Sequence, residues 1–165
     1  MREEDLEDFS KFLAEFQEET DRGGALVGAA LLDLKLADTL RAFMVSANAA
    51  EPLLDGATAP LGTFSARIKA AFAFGLIDDH ERRECDLIRK VRNEFAHRPH
   101  GFDFQDQKVA ALCEQLQSDL PGDRDKFSGK YRTMFINAVI LTVLRLTYRA
   151  EHVAMERRTT RSWPY

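Results

Sequence analysis

The sequence predicts an all-α fold: a single-domain bundle of about six helices with a long C-terminal helix at its centre. Three observations lead there. Apolar residues recur at three- and four-residue spacing through most of the chain, no stretch sustains the two-residue alternation of a half-buried strand, and Pro or Gly separates the periodic stretches. A length of 165 residues, 45% of them hydrophobic and 30% charged, suits one packed core under a solvated surface. With no internal repeat or low-complexity stretch, sequential helices are expected to pack as antiparallel neighbours. The helical domain is read as residues 1–158, followed by a basic tail at 159–165.

The first helix carries Leu6, Phe9, Phe12, Leu13 and Phe16 as one apolar stripe opposite an acidic face. Thr20-Asp21-Arg22-Gly23-Gly24 supplies cap and turn residues. Periodicity then resumes from Ala25 to about Ala47 through Ala29, Leu32, Leu36, Leu40 and Phe43, and Gly28, Ala29 and Ala30 suggest a close helix crossing. Pro52, Gly56, Pro60 and Gly62 make 48–62 an irregular connection with at most a turn at Leu53 and Leu54. Thr63 caps a helix to Phe74, with Phe64, Ile68, Ala71 and Phe72 inward, and Gly75 stops it.

Asp78 with Glu81 three residues on is a capping-box pattern, opening a helix from about Asp79 to His97 that buries Cys85, Ile88, Val91 and Phe95. Pro99 ends it. A helix from about Gln105 to Leu120 follows, using Val109, Leu112, Cys113 and Leu116. Pro121-Gly122 then leads to the last and longest helix, about Asp125 to Arg158.

Charge and composition exclude several classes of function. A net charge of -4 argues against a general nucleic-acid coat, which rests on many phosphate-neutralising cations. The acidic first helix and the basic stretch Arg149, Arg157, Arg158 and Arg161 read as solvated faces or as surfaces that pair head to tail or in a dimer. Cys85 and Cys113 stand in no CxxC or CxxH context, so they are expected to be reduced thiols. His97 and His100 are three apart but have no further ligands nearby, so no metal is expected. No phosphate-binding loop, dinucleotide fingerprint or nucleophile elbow occurs, and no cofactor is expected. The N-terminus lacks the basic patch and apolar run of a secretory leader, and Met134–Leu146 is too short and too interrupted to span a membrane. The expected setting is the cytoplasm.

The segment Asp86-Leu87-Ile88-Arg89-Lys90-Val91-Arg92-Asn93-Glu94-Phe95-Ala96-His97 concentrates the residues that could carry chemistry. With its apolar side chains inward, Arg89, Arg92, Asn93 and His97 gather on or near one exposed side. Asn93 and His97, four apart, share a face, whereas Arg92 and His97 are about 140° apart around the helix. Arg92 through His97 resembles the RxxxxH motif of the HEPN superfamily. For its nuclease members that resemblance implies metal-independent RNA cleavage at a site composed by a dimer. His97 would be the general acid or base, Arg92 would stabilise charge on the phosphate, and Asn93 would orient the pair. The same residues also have a structural account, in which Arg92 pairs with Glu94 or Asp21 and His97 closes carbonyls at the helix end.

Several blocks in order, Glu19 to Asp33, Ala59 to Ile68, Gly75-Leu76-Ile77 and Ile88 to His97, resemble the mannitol operon repressor (MtlR) family across roughly residues 12–120. That resemblance implies an all-helical bacterial cytoplasmic protein, a transcriptional repressor of mannitol-uptake genes or a paralogue of one. Asp21, Arg22, Thr63, Ser65 and Arg67 in these blocks either form caps and ion pairs or line one cleft with Arg89, Arg92, Asn93 and His97, where Arg22, Arg67 and Arg92 would suit an anion. Regulation through a protein partner, or through a second copy as a homodimer, is favoured over direct DNA reading. Glu81, Glu84, Asp86 and Glu94 interleave the cations of the one basic helix and would repel phosphates.

Overall fold

Side-chain caps set most of the helix starts. In the computed structural model, which describes residues 1–164 except Ala57, Pro99 and His100 and only the backbone of Glu4, the elements are α1 (Glu3–Glu18), α2 (Asp21–Phe43), α3 (Ala47–Leu54), α4 (Phe64–Ala73), α5 (Asp79–His97), α6 (Gln107–Glu114), a 3-10 turn at Arg124–Phe127, α7 (Tyr131–Leu146) and α8 (Arg149–Ala154). No strand occurs among the described residues. Thr20, Ser46, Thr63, Asp78 and Asp106 each accept a bond from a first-turn amide, and Asp78 with Glu81 forms the expected capping box. Gly75 ends α4 at φ +71°, the left-handed stop its position implies.

Arginines close the other ends. Arg132 donates to the carbonyls of Gln17 and Glu19 after α1, Arg157 to Ala42 at the end of α2, Arg22 to Phe95 and Arg98 at the end of α5, and Arg124 to Glu114 and Leu116 after α6. Each guanidinium fork meets carbonyls that have no partner within their own helix, at the negative end of its dipole. The role imagined for His97 at the end of α5 thus falls to Arg22, from another helix.

α2 is the central element, packed against α1, α3, α4, α5, α7 and α8. The expectation that the last helix is longest and central does not hold. Gly129, at φ +74°, precedes α7, and a turn at Thr147 and Tyr148 separates α7 from α8, which folds back onto α2. Nor does α2 wait for Ala25. Gly23 and Gly24 lie inside its first turn; a Cβ on Gly24 would stand at ordinary contact distance, 3.5 Å, from Ile136, whereas one on Gly28 would be crowded, about 3.0 Å from Phe16 and 3.1 Å from Val139. The anticipated close crossing is therefore at Gly28 and Ala29, while Ala30 is exposed.

Other departures have similarly local causes. Residues 47–54 form a helix despite Pro52, since Ser46 caps its start and buried Ala50 and Leu54 hold it to α2. α6 stops at Glu114 because Glu84 captures the backbone amides of Gln117 and Ser118. Phe72 points outward under the guanidinium of Arg82, and Leu6 is exposed, so α1 packs mainly through Phe16. The interior is otherwise as the periodicity implies, with Leu32, Leu36, Leu40, Ile88, Val91 and Phe95 buried, and Phe95, Phe104 and Phe135 in successive ring contacts at 5.0 and 5.3 Å joining α5 to α7.

The N- and C-terminal segments meet within one chain, but among the described side chains the acids of α1 do not pair with the C-terminal arginines. Arg2 pairs with Glu151, and Tyr148 donates to Asp5 at 2.6 Å, a bond that raises the tyrosine's pKa. Of the C-terminal arginines, Arg149 turns inward to Glu81, and Arg157 goes to the end of α2. No described helix is long and apolar enough to cross a membrane.

Candidate functional site

The start of α4 and the outer face of α5 enclose a polar cavity of about 280 Å³. Thr63, Phe64 and Ser65 form one wall, Arg89, Arg92 and Asn93 the other, and Asp33 of α2 lies at the base beside Gly62. Five of the nine residues singled out in the sequence therefore converge here: Thr63, Ser65, Arg89, Arg92 and Asn93. They meet because α4 and α5 pack directly on each other, with Ile68 and Ile88 inward, which leaves the polar faces side by side.

The other four are elsewhere. Arg67 is tucked behind the cavity, donating to the carbonyls of Leu61 and Leu54 at 2.9 Å each, with Nη1 2.9 Å from Asp33 Oδ1. That last contact is ionic and off the N–H axis, so the buried Asp33 oxygen accepts no aligned hydrogen bond. Asp21 accepts from the Phe104 amide and pairs with Arg132, and Arg22 closes α5. His97 is exposed on the last turn of α5 and does not line the cavity. Within one chain, the cavity thus takes Arg92 and Asn93 and leaves out the imidazole that phosphoester cleavage would need. His100 lies outside the described residues.

Ion pairing differs among the arginines of α5. Arg82 binds Asp79, and Arg89 and Lys90 share Asp86. Burial pushes the Asp86 carboxyl up, yet the bonds from Arg89 and Lys90 outweigh it and hold the pKa below its usual value; the Arg82 bond likewise lowers that of Asp79. Arg92 instead donates only to Asn93 Oδ1, at 3.1 Å, among the described residues, and pairs with neither Glu94, which takes Lys108, nor Asp21.

Two acids read as phosphate-repelling surface groups are in fact interior. Glu81 and Glu84 are each 1% exposed. Glu81 takes a bidentate Arg149 at 2.6 and 3.1 Å, and Glu84 accepts from both amides of Gln117 and Ser118 and from the Ser118 hydroxyl. Asp partners instead keep three of the α5 cations, Arg82, Arg89 and Lys90, from acting as a phosphate-binding row. A broader cleft of about 650 Å³ between α5 and the segment after α6 holds Arg82, Arg83, Lys90 and Arg124, of which Arg82 and Lys90 are ion-paired and Arg124 is bound to carbonyls.

Sequence reasoning missed one surface altogether. Phe43, Val45, Leu53 and Phe74 line an apolar groove of about 600 Å³ where α2, α3 and α4 end together, with Phe74 51% and Leu53 39% exposed. Residues at helix ends escape a periodicity argument, which assigns apolar residues inward; the signal available was Phe72 and Phe74 flanking the α4 stop. The cysteines are closed to chemistry, since burial raises the Cys85 thiol pKa and pushes that of Cys113 up to about 12. Among the described residues no group of three or more His, Cys, Asp or Glu is placed to hold a metal.

Fold and surfaces together define an all-α domain that carries a small polar cavity and an exposed apolar groove. The mannitol repressor (MtlR) family model matches residues 33–149, and the chain belongs to that family. The match begins later than the blocks read from sequence and runs on through α7. Similar proteins include the mannitol operon repressors of Escherichia coli strains K12 and CFT073, each 34% identical over 68 residues, which is 41% of this chain and 34% of the relative. The chain thus aligns with about a third of the length of those curated relatives. The solved chain of an MtlR-HPr complex from Escherichia coli shares the fold, with a TM-score of 0.56 and 23% identity, covering 88% of this chain and 97% of that one.

Proposed function

We propose that this chain is a regulatory domain that acts by docking onto a protein, in the manner of a transcriptional regulator that controls sugar-transport genes through protein contacts. The observation that carries the reading is the apolar groove of Phe43, Val45, Leu53 and Phe74. Exposed apolar surface gathered at one place, rimmed here by Arg158, is the chemistry of a protein interface and serves no purpose against phosphate. Direct DNA reading lacks the matching feature, because the cations Arg82, Arg89 and Lys90 of α5 are paired with Asp79 and Asp86.

Family membership supports the regulatory class, and the fold shared with a chain solved in complex with HPr supports HPr as the partner to try first. Titration calorimetry of this chain against HPr from the same organism is expected to give micromolar binding that Phe74→Glu weakens at least tenfold while the helical circular dichroism is unchanged. Absence of binding removes HPr as the partner. Tight, sequence-specific retardation of operator DNA by the chain alone, at physiological salt, overturns the protein-contact reading.

A further inference from the structure

We propose that the cavity between α4 and α5 is a binding site for a small hydroxylated oxyanion, of the class of a phosphorylated or carboxylated short polyol. The oxyanion end is specified by Arg92. Its neighbours Arg82 and Arg89 are neutralised by aspartates, whereas Arg92 has no carboxylate partner among the described residues and uses only Nη1, on Asn93. Nε and Nη2 remain as a parallel donor pair on a side chain that lines the cavity, the geometry that takes two oxygens of a phosphate or carboxylate.

The opposite wall adds neutral donors. Thr63 uses its hydroxyl on the Ala66 amide, so the first-turn amides of Phe64 and Ser65 have no acceptor within the helix or among the described side chains. The Ser65 hydroxyl is likewise without a described partner and also lines the cavity. Phe64 and Ser65 line the same cavity as Arg92, from the other helix, so the anion is approached from two helices rather than resting on one helix end.

The hydroxyl requirement comes from Asp33. Its carboxylate lines the base of the cavity: Oδ1 is buried against Arg67, which offsets its charge, while Oδ2, on a side chain that stays partly exposed, has no described donor. A second anionic oxygen placed there would be repelled, whereas an alcohol O–H would be welcome. Size sets the remaining limit: about 280 Å³ is at the small end of ligand cavities and leaves no room for a nucleotide.

The test uses four probes at constant ionic strength, read by amide and Arg Nε shifts in nitrogen-15-labelled full chain. Glycerol 3-phosphate carries both features, glycerate replaces the phosphate by a carboxylate, inorganic phosphate lacks the hydroxyl arm, and glycerol lacks the anion. Saturable shifts are expected at Phe64, Ser65 and Arg92 with glycerol 3-phosphate or glycerate, and whichever binds more tightly identifies the oxyanion. Inorganic phosphate is expected to bind about tenfold more weakly and glycerol not measurably. Arg92→Gln is expected to reduce affinity at least tenfold, and Ser65→Ala, which removes only a hydroxyl, severalfold with the spectrum otherwise unchanged. The proposal is overturned if neither hydroxylated anion saturates at millimolar concentration, if inorganic phosphate binds as well as glycerol 3-phosphate, or if Arg92→Gln binds as the unsubstituted chain does.

Discussion

Replacing Glu84 by Gln changes one oxygen to an NH2 group at almost constant volume, inside a site that is 1% exposed. Glu84 Oε1 accepts from the Gln117 amide at 2.9 Å, and Oε2 accepts from the Ser118 amide at 3.1 Å and from the Ser118 hydroxyl. The variant keeps an acceptor for Gln117 but sets a donor against the Ser118 N–H. One charge-assisted bond, worth about 1.5–3 kcal/mol, is lost, and a buried N–H is stranded at a cost of about 1–3 kcal/mol. The Ser118 hydroxyl can rotate to accept from the new amide and recovers part of this. The net expectation is about 2–4 kcal/mol of destabilisation. Urea unfolding at pH 7, with a slope of about 1–3 kcal/mol per molar, should show the midpoint falling by about 0.7 M or more at unchanged slope. In native-state hydrogen exchange, the Gln117 and Ser118 amides should lose protection first. A stability change under about 0.5 kcal/mol, the range of an ordinary surface substitution, would refute the role given to Glu84.

Other consequences can be checked with equal directness. Gly28→Val places branched carbons where a single Cβ already stands about 3.0 Å from Phe16, so thermal unfolding is expected to report a loss of about 2 kcal/mol or more. Gly75→Ala puts a side chain at φ +71° with open space around it, so the cost, about 1 kcal/mol by denaturant titration, should be conformational alone. Both thiols are buried and held protonated, so Ellman's reagent at pH 8 should find none in the native chain and two after denaturation. The depressed Asp86 pKa means the unfolded chain binds protons first as pH falls. Its contribution is present above the unfolded value near 4 and is lost as pH drops through the folded value; Asp86→Asn should therefore flatten the acid limb of the stability profile below about pH 4.

Periodicity and caps made the helical class, the α4 and α5 boundaries and most of the interior legible, because these are set within one or two turns of chain. Thr63, Asp78 and Gly75 each act on backbone fewer than five residues away. Arg22, Arg124 and Arg132 do not: each closes a helix to which it does not belong, and nothing in the local sequence tells such an arginine from one in solvent. The same blindness misassigned Glu81 and Glu84, which look like surface acids until their partners at Arg149, Gln117 and Ser118 are known. For the candidate site, the polar residues of α4 and α5 were identifiable because adjacent helices bring them together. Asp33 was not, since it stands between Leu32 and Leu34 with no local sign of its Arg67 partner, and the apolar groove was not, since it forms where three helices stop.

Arg67 constrains what the connection between α3 and α4 can become. One rigid guanidinium spans the carbonyls on both sides of that connection, Leu54 before it and Leu61 after it, and leans on Asp33 beneath. Surface loops ordinarily accept insertions at small entropic cost. Here the two anchoring oxygens must stay within reach of a single side chain, so the length between Leu54 and Leu61 is constrained, and Gly56, at φ +110°, restricts the composition as well. Lysine, a point charge without the planar fork, is no substitute for the staple.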